Sequence, residues 1–181
     1  ASGVEGAWRF VGRVWAGVEN HGRPAPKPGD TAPAGADAGA ALELRQTAHR
    51  TVAAMGDDIE GFRFNRAVAR AYELVNAIRK QDAANDPATV WARGEALRLL
   101  AQIIAPFMPH LAEECWATLG QNGLLAATDW PQADPALVAE NTAQPRREYL
   151  GGSRLGHPCE RALQFEFAGA PKDEGAGFSG Q

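Results

Sequence analysis

The chain has 181 residues, 45% of them hydrophobic, with 18 Lys and Arg against 22 Asp and Glu for a net charge of −4. That is enough apolar material for one domain with appendages, and the charge excludes binding of nucleic acid by bulk basicity, so any RNA contact must come from a local patch. Two cysteines, Cys115 and Cys159, make neither a disulfide framework nor a metal site, and no apolar run approaches the roughly 20 residues that span a bilayer.

The first residues, Ala1-Ser2-Gly3, run straight into a helical pattern without an initiator methionine, which suggests a piece of something longer, although methionine removal before alanine would look the same. A first helix is expected over about Val4 to Val18. Val4, Trp8, Val11, Trp15 and Val18 form its apolar stripe, and Arg9 and Arg13 are i,i+4 neighbours beside it. Residues 21–40 are Pro, Gly, Ala and Asp with almost nothing large and apolar, so they are expected to form a flexible loop inserted between helices.

A second helix is expected from about Leu42 to Ile59, with Leu44, Ala48, Val52, Met55 and Ile59 inward and Gly61 as its stop. Asn65 suits the N-cap of a third helix, about Arg66 to Gln81, burying Val68, Ala71, Leu74, Val75 and Ile78. Asp86-Pro87, a capping residue followed by proline at the first helical position, opens the fourth.

The fourth helix runs into a two-proline corner, Ile103-Ile104-Ala105-Pro106-Phe107-Met108-Pro109-His110-Leu111. Pro106 stops the incoming helix near Ala105, and Pro109 is placed to start the fifth. Glu113 and Glu114 lie one turn in, where negative charge complements the helix dipole. Ile104, Phe107 and Leu111 are expected to be buried where the two helices meet. Leu119-Gly120 ends the fifth helix with a glycine able to turn left-handed. Trp130-Pro131 opens an irregular segment, and Asp134-Pro135 caps a short helical turn. No stretch before Thr142 alternates with period two. The fold class is all-α, an antiparallel-type helical bundle over residues 1–142. An irregular tail, poor in order, follows over 143–181.

Several of these segments carry a resemblance. The run from Ala1 through Trp8-Arg9-Phe10 to Trp15 is similar to the first bundle helix of bacterial leucyl-tRNA synthetases. So are His49-Arg50-Thr51-Val52, Asp57-Asp58-Ile59-Glu60 and Arg63-Phe64-Asn65. The corner Pro106-Phe107-Met108-Pro109-His110-Leu111-Ala112-Glu113-Glu114-Cys115-Trp116 and the later Trp130-Pro131 follow in the family's order. The resemblance, over about residues 1–142, implies the anticodon-binding bundle of a class I aminoacyl-tRNA synthetase, with a leucine-accepting tRNA as partner and a cytoplasmic setting. It implies neither membrane nor DNA binding. ATP and magnesium are implied for the parent enzyme only, because neither a His-x-Gly-His nor a Lys-Met-Ser-Lys-Ser-like motif is present. No cofactor is expected in this chain, and it is not expected to activate leucine alone. In the tail, Tyr149-Leu150-Gly151-Gly152-Ser153 with Pro158-Cys159-Glu160-Arg161 resembles the N-terminus of phage-type PD-(D/E)xK nucleases. The alternative reading is therefore a non-functional chimera of two unrelated pieces.

Candidate contacts to RNA are Arg9 and Arg13 on the first helix and Arg63, Arg66 and Arg70 on the third. The last three lie within about 60° on a helical wheel. Phosphate-directed arginines suit a bundle that grips RNA by shape and backbone. The competing reading is a solvated face partly neutralised by Glu73. No catalytic residue and no metal ligand is assigned. His110 has no serine, cysteine or acid placed to partner it and reads as a packed corner residue. Trp15 and Trp116 fall on core stripes, Trp130 is open between packed and exposed, and Cys159 is one thiol where an iron–sulfur cluster needs four.

Overall fold

The computed structural model describes residues 2–139, side chains from residue 4 onward, and the tail 143–181 with its nuclease-like wording lies outside the described residues. Among the described residues six α-helices follow in order: α1 (Ser2–His21), α2 (Gly39–Glu60), α3 (Phe64–Arg79), α4 (Pro87–Ile104), α5 (Pro109–Thr118) and the single turn α6 (Pro135–Val138). No strand occurs among the described residues, and the all-α bundle is as expected. No helix among them is long and apolar enough to cross a membrane.

The centre of the bundle is α4, against which α1, α2, α3 and α5 all pack. Asp86 caps it by accepting a hydrogen bond from the Thr89 amide at 2.8 Å, the role its place before Pro87 predicts. From Ala88 to Ile104 every residue except Trp91 is buried. A helix enclosed on all sides must also bury its polar residues, here Arg93, Glu95, Arg98 and Gln102, and each then needs a partner. Glu95 accepts from Arg45 Nε at 2.9 Å, and Arg45 also pairs with Asp37. The Asp134 amide donates to His49 Nδ1 at 3.0 Å. The ring proton of His49 therefore sits on Nε2, which faces Glu95 Oε1 at 3.4 Å. Arg93 donates to the carbonyls of Gln81 and Asp82, just beyond the end of α3.

The inward face of α1 differs from the expected stripe. Phe10, Val14, Val18 and His21 are buried, whereas Val4 and Trp8 are 78% and 77% exposed and Trp15 is half-buried against the core. Phe10 fixes this rotation by packing on the Tyr72 ring of α3, centroids 4.4 Å apart, while Tyr72 Oη donates to Gly6 O at 3.0 Å. The inward residues of α2 are as expected, with Ile59 partly buried. Helix α3 starts two residues early, at Phe64 after Arg63, and Asn65 is not its cap. The turn from α2 is too tight for that: the Arg63 amide is already committed to Asp58 O at 2.7 Å. Val68 is 41% exposed rather than buried.

At the corner, Ile104 is buried but Phe107 and Leu111 are only half-buried. Phe107 meets the edge of Phe64 at 6.3 Å. His110 is exposed, not packed. Glu113 serves a neighbour rather than its own helix dipole: its carboxylate accepts from the Leu125 and Ala126 amides, both at 2.8 Å, and fixes the 3-10 turn Leu125–Ala127. Trp116 is buried, and Trp130 is partly buried against the core. The segment between α1 and α2 has no large apolar anchor, but Ala25 and Ala36 are buried. The Ala25 amide donates to Leu119 O at 2.9 Å, and Gln121 Nε2 donates to Ala25 O at 3.0 Å.

Candidate nucleic-acid interface

The five arginines singled out by sequence fall into two groups of different physical character. Arg63, Arg66 and Arg70 converge on Asp58, whose side chain is 2% exposed. Arg63 Nε lies 2.8 Å and Arg66 Nε 3.6 Å from Oδ1, and Arg70 Nε lies 2.6 Å from Oδ2. The geometry follows from the sequence spacing: residues 66 and 70 are one turn apart on α3, and Arg63 stands just before it. All three reach the last turn of α2 across a three-residue connection. Hydrogen bonds from Arg70 and Arg63 outweigh the cost of burial and, with the Arg66 charge, hold the Asp58 carboxyl down at about 2. The neutralising acid is thus Asp58, and Glu73 makes no ion pair among the described residues. The side chains remain 44%, 63% and 29% exposed for Arg63, Arg66 and Arg70. Their outer nitrogens are therefore available for a second anion, most freely in Arg66. Arg63 Nη2 is the exception, because it donates to Asp57 O at 2.7 Å.

Arg9 and Arg13 form the second group, and the structure adds Arg79 to it. These three line an open groove between α1 and the end of α3, with Asn20 and Asp82 beside them. Gly12, Ala16 and Gly17 also line it, so little side-chain bulk keeps a polymer backbone from close approach. Arg9, Arg13 and Arg79 take part in no ion pair among the described residues, whose pairs all involve Arg45, His49, Arg63, Arg66 or Arg70. Sequence reading missed Arg79 because its place beside α1 comes from tertiary packing of α1 on α3, which includes the Phe10–Tyr72 pair. It missed Asp58 because a helical wheel shows one helix and not its neighbour.

Two buried titratable side chains among the described residues are shifted away from reactive forms. Burial, assisted by Glu114, pushes the Cys115 thiol up to about 12, far from a nucleophilic thiolate. His21 is held down at about 4 by burial and by the charges of Arg93 and Arg23. Among the described residues no group of three or more His, Cys, Asp or Glu is placed to hold a metal ion.

Comparison with known proteins places this geometry. The family model described as the anticodon-binding domain of tRNA ligase matches residues 42–154. A leucine–tRNA ligase of Maricaulis maris is 54% identical over 142 residues, covering 78% of this chain and 16% of the relative. One from Caulobacter vibrioides is 45% identical over 174 residues, covering 96% of this chain and 19% of the relative. Both the family model and the Caulobacter match run past residue 142, where the sequence resemblance ends. Among solved structures, the ternary complex of Agrobacterium radiobacter K84 agnB2 LeuRS with tRNA and LeuAMS superposes with a TM-score of 0.59 at 27% identity. It covers 76% of this chain and 17% of that one. The chain therefore spans less than a fifth of the length of the ligases it matches. It belongs to the anticodon-binding domain family of tRNA ligases.

Proposed function

We propose that this chain is the anticodon-binding bundle of a leucine–tRNA ligase and that it docks a leucine-accepting tRNA, in the cytoplasm, through the RNA backbone. The observation that carries this reading is the family match over residues 42–154, combined with 54% identity to a leucine–tRNA ligase. The exposed guanidiniums supply the chemistry. Arg9 and Arg13 line an open groove, and Arg63, Arg66 and Arg70 are spaced by a shared carboxylate; both groups present N–H donors that match phosphate oxygens. Such contacts fix register and orientation rather than read bases. Adenylate formation, with its ATP and magnesium, belongs to parts of such a ligase outside this bundle, so the chain alone catalyses nothing.

The test is titration of the full chain with a leucine-accepting tRNA transcript at several salt concentrations, alongside leucine-dependent pyrophosphate exchange. The reading expects binding that weakens steeply as salt rises, because phosphate contacts release counterions, and exchange at background. Absence of salt-dependent binding would favour a folded fragment without useful affinity, and exchange above background would give the chain a catalytic role it is not assigned.

A further inference from the structure

Two helix ends in this molecule share one hydrogen-bond pattern. After α5, the Gly120 amide bonds to Ala117 O and the Gln121 amide reaches back to Trp116 O, with Gly120 at φ 69°. After α2, the Phe62 amide bonds to Ile59 O and the Arg63 amide to Asp58 O, and the left-handed position is held by Phe62 at φ 55°. Glycine is the usual occupant of that position because it has no Cβ to clash. A bulky aromatic there is an outlier, and Phe62 is the one non-glycine residue with positive φ among those described.

The nearest glycine, Gly61, is used for something else. It keeps φ −84°, and a Cβ on it would overlap the Arg63 guanidinium, which folds across it to reach Asp58. Phe62 gains little burial in exchange for its conformation: it is 81% exposed, its ring edge-to-face with Phe64 at 6.0 Å between centroids. A strained residue whose side chain stands in solvent is a candidate for function rather than for packing. Its neighbours carry the opposite chemistry. Arg63 is adjacent, and Arg66 and Arg70 share the Asp58 carboxylate with it.

We propose that Phe62 is a stacking platform for an unpaired base of the bound RNA, with the flanking phosphates on Arg66 and Arg63. An exposed ring beside guanidiniums fits a single-stranded nucleotide, which offers a π-face and an anion together. A paired base keeps its faces inside the helix stack. The inference deepens the proposed RNA-binding role and rests on it.

The experiment uses the full chain and two probes, a leucine-accepting tRNA transcript and a fully paired RNA duplex. Phe62→Gly and Phe62→Asn both tolerate the left-handed backbone and remove the ring; Phe62→Tyr keeps it. The expected result is a higher melting midpoint for Phe62→Gly together with tRNA binding weaker by about 5-fold or more in both ring-less variants. Duplex affinity should be unchanged, and Phe62→Tyr should bind like the wild type. Unchanged tRNA affinity in the Gly and Asn variants overturns the proposal, as does an equal loss toward the duplex. Self-association of the wild type that vanishes in Phe62→Gly, with RNA affinity unaltered, assigns the ring to protein contact and also overturns it. If the wild type binds neither RNA, the RNA-binding role itself fails and the platform falls with it.

Discussion

Three guanidiniums around one carboxylate set the acid behaviour of the α2–α3 turn. Asp58 falls from its ordinary 3.8 to about 2 on folding, so the unfolded chain binds more protons there and stability must rise with pH across that interval. The stabilisation is fully present above about pH 4 and is lost as pH falls toward 2. His21 acts in a higher window. Its folded value of about 4 lies below the ordinary 6.5, so protonation again favours the unfolded chain and stability declines as pH drops from 6.5 to 4. Melting curves collected from pH 7 to 2 should show both declines. Asp58→Asn should remove the lower one and leave the upper one, and His21→Gln should do the reverse. His21 did not stand out in the sequence, and Asp58 did so only as part of the run Asp57-Asp58-Ile59-Glu60, with nothing to mark it as the carboxylate the arginines share. Asp58 is one of three acids within four positions, and what separates it from Asp57 and Glu60 is its burial at the last turn of α2.

Helix existence was more legible than helix orientation, and the reasons are local. Asp86-Pro87, Pro109 and Leu119-Gly120 each carry their own signal, a cap, a missing amide donor or a left-handed turn, and each does in the fold what that signal implies. The face of α1 has no such local signal. Trp8 and Val4 satisfy the period as well as Phe10 and Val14 do, and the choice is made by Tyr72, 62 positions away from Phe10. The corner shows the same limit. Its apolar stripe is continuous in sequence, yet of the three residues expected to meet there only Ile104 is enclosed, while Phe107 is half-buried with its ring against Phe64. In thermal or urea unfolding, Ile104→Ala should therefore cost about 2–5 kcal/mol. Phe107→Ala should cost roughly half of the about 3–5 kcal/mol of a buried phenylalanine, and Pro109→Ala less than either. A larger loss at Pro109 than at Ile104 would make backbone geometry, not packing, the basis of the corner. Between α1 and α2, native-state hydrogen exchange should find the Ala25 amide slow, since it donates to Leu119 O, and the glycine-rich stretch around Gly29 fast.

For the molecule as a whole, net charge says little about where RNA is met. Some of its ionic groups are internal: Arg45, Glu95, Arg93 and Arg98 are each less than 10% exposed. The Arg45–Glu95 pair ties α4 to α2, Arg93 ties α4 to the carbonyls just beyond α3, and Arg98 bonds Gln102 one turn along α4 itself. On the surface, two clusters of exposed arginines stand out on a protein of net charge −4. The patches also call for different tests. Replacing Arg63, Arg66 and Arg70 together would strip Asp58 of every cation and unfold the turn along with any RNA binding. Arg9, Arg13 and Arg79 make no ion pair and no side-chain hydrogen bond among the described residues, so their replacement is the cleaner report on binding. The most direct measurement of the central claim is the salt dependence of tRNA binding by the wild-type chain and by Arg9→Gln/Arg13→Gln/Arg79→Gln, with circular dichroism to show that the helices are intact. Every arginine–phosphate pairing removed should make the slope of log affinity against log salt shallower by about 0.7–0.9, hence by about 2 or more for all three arginines. A triple variant that keeps its helices and the wild-type slope would contradict docking of the RNA backbone in this groove.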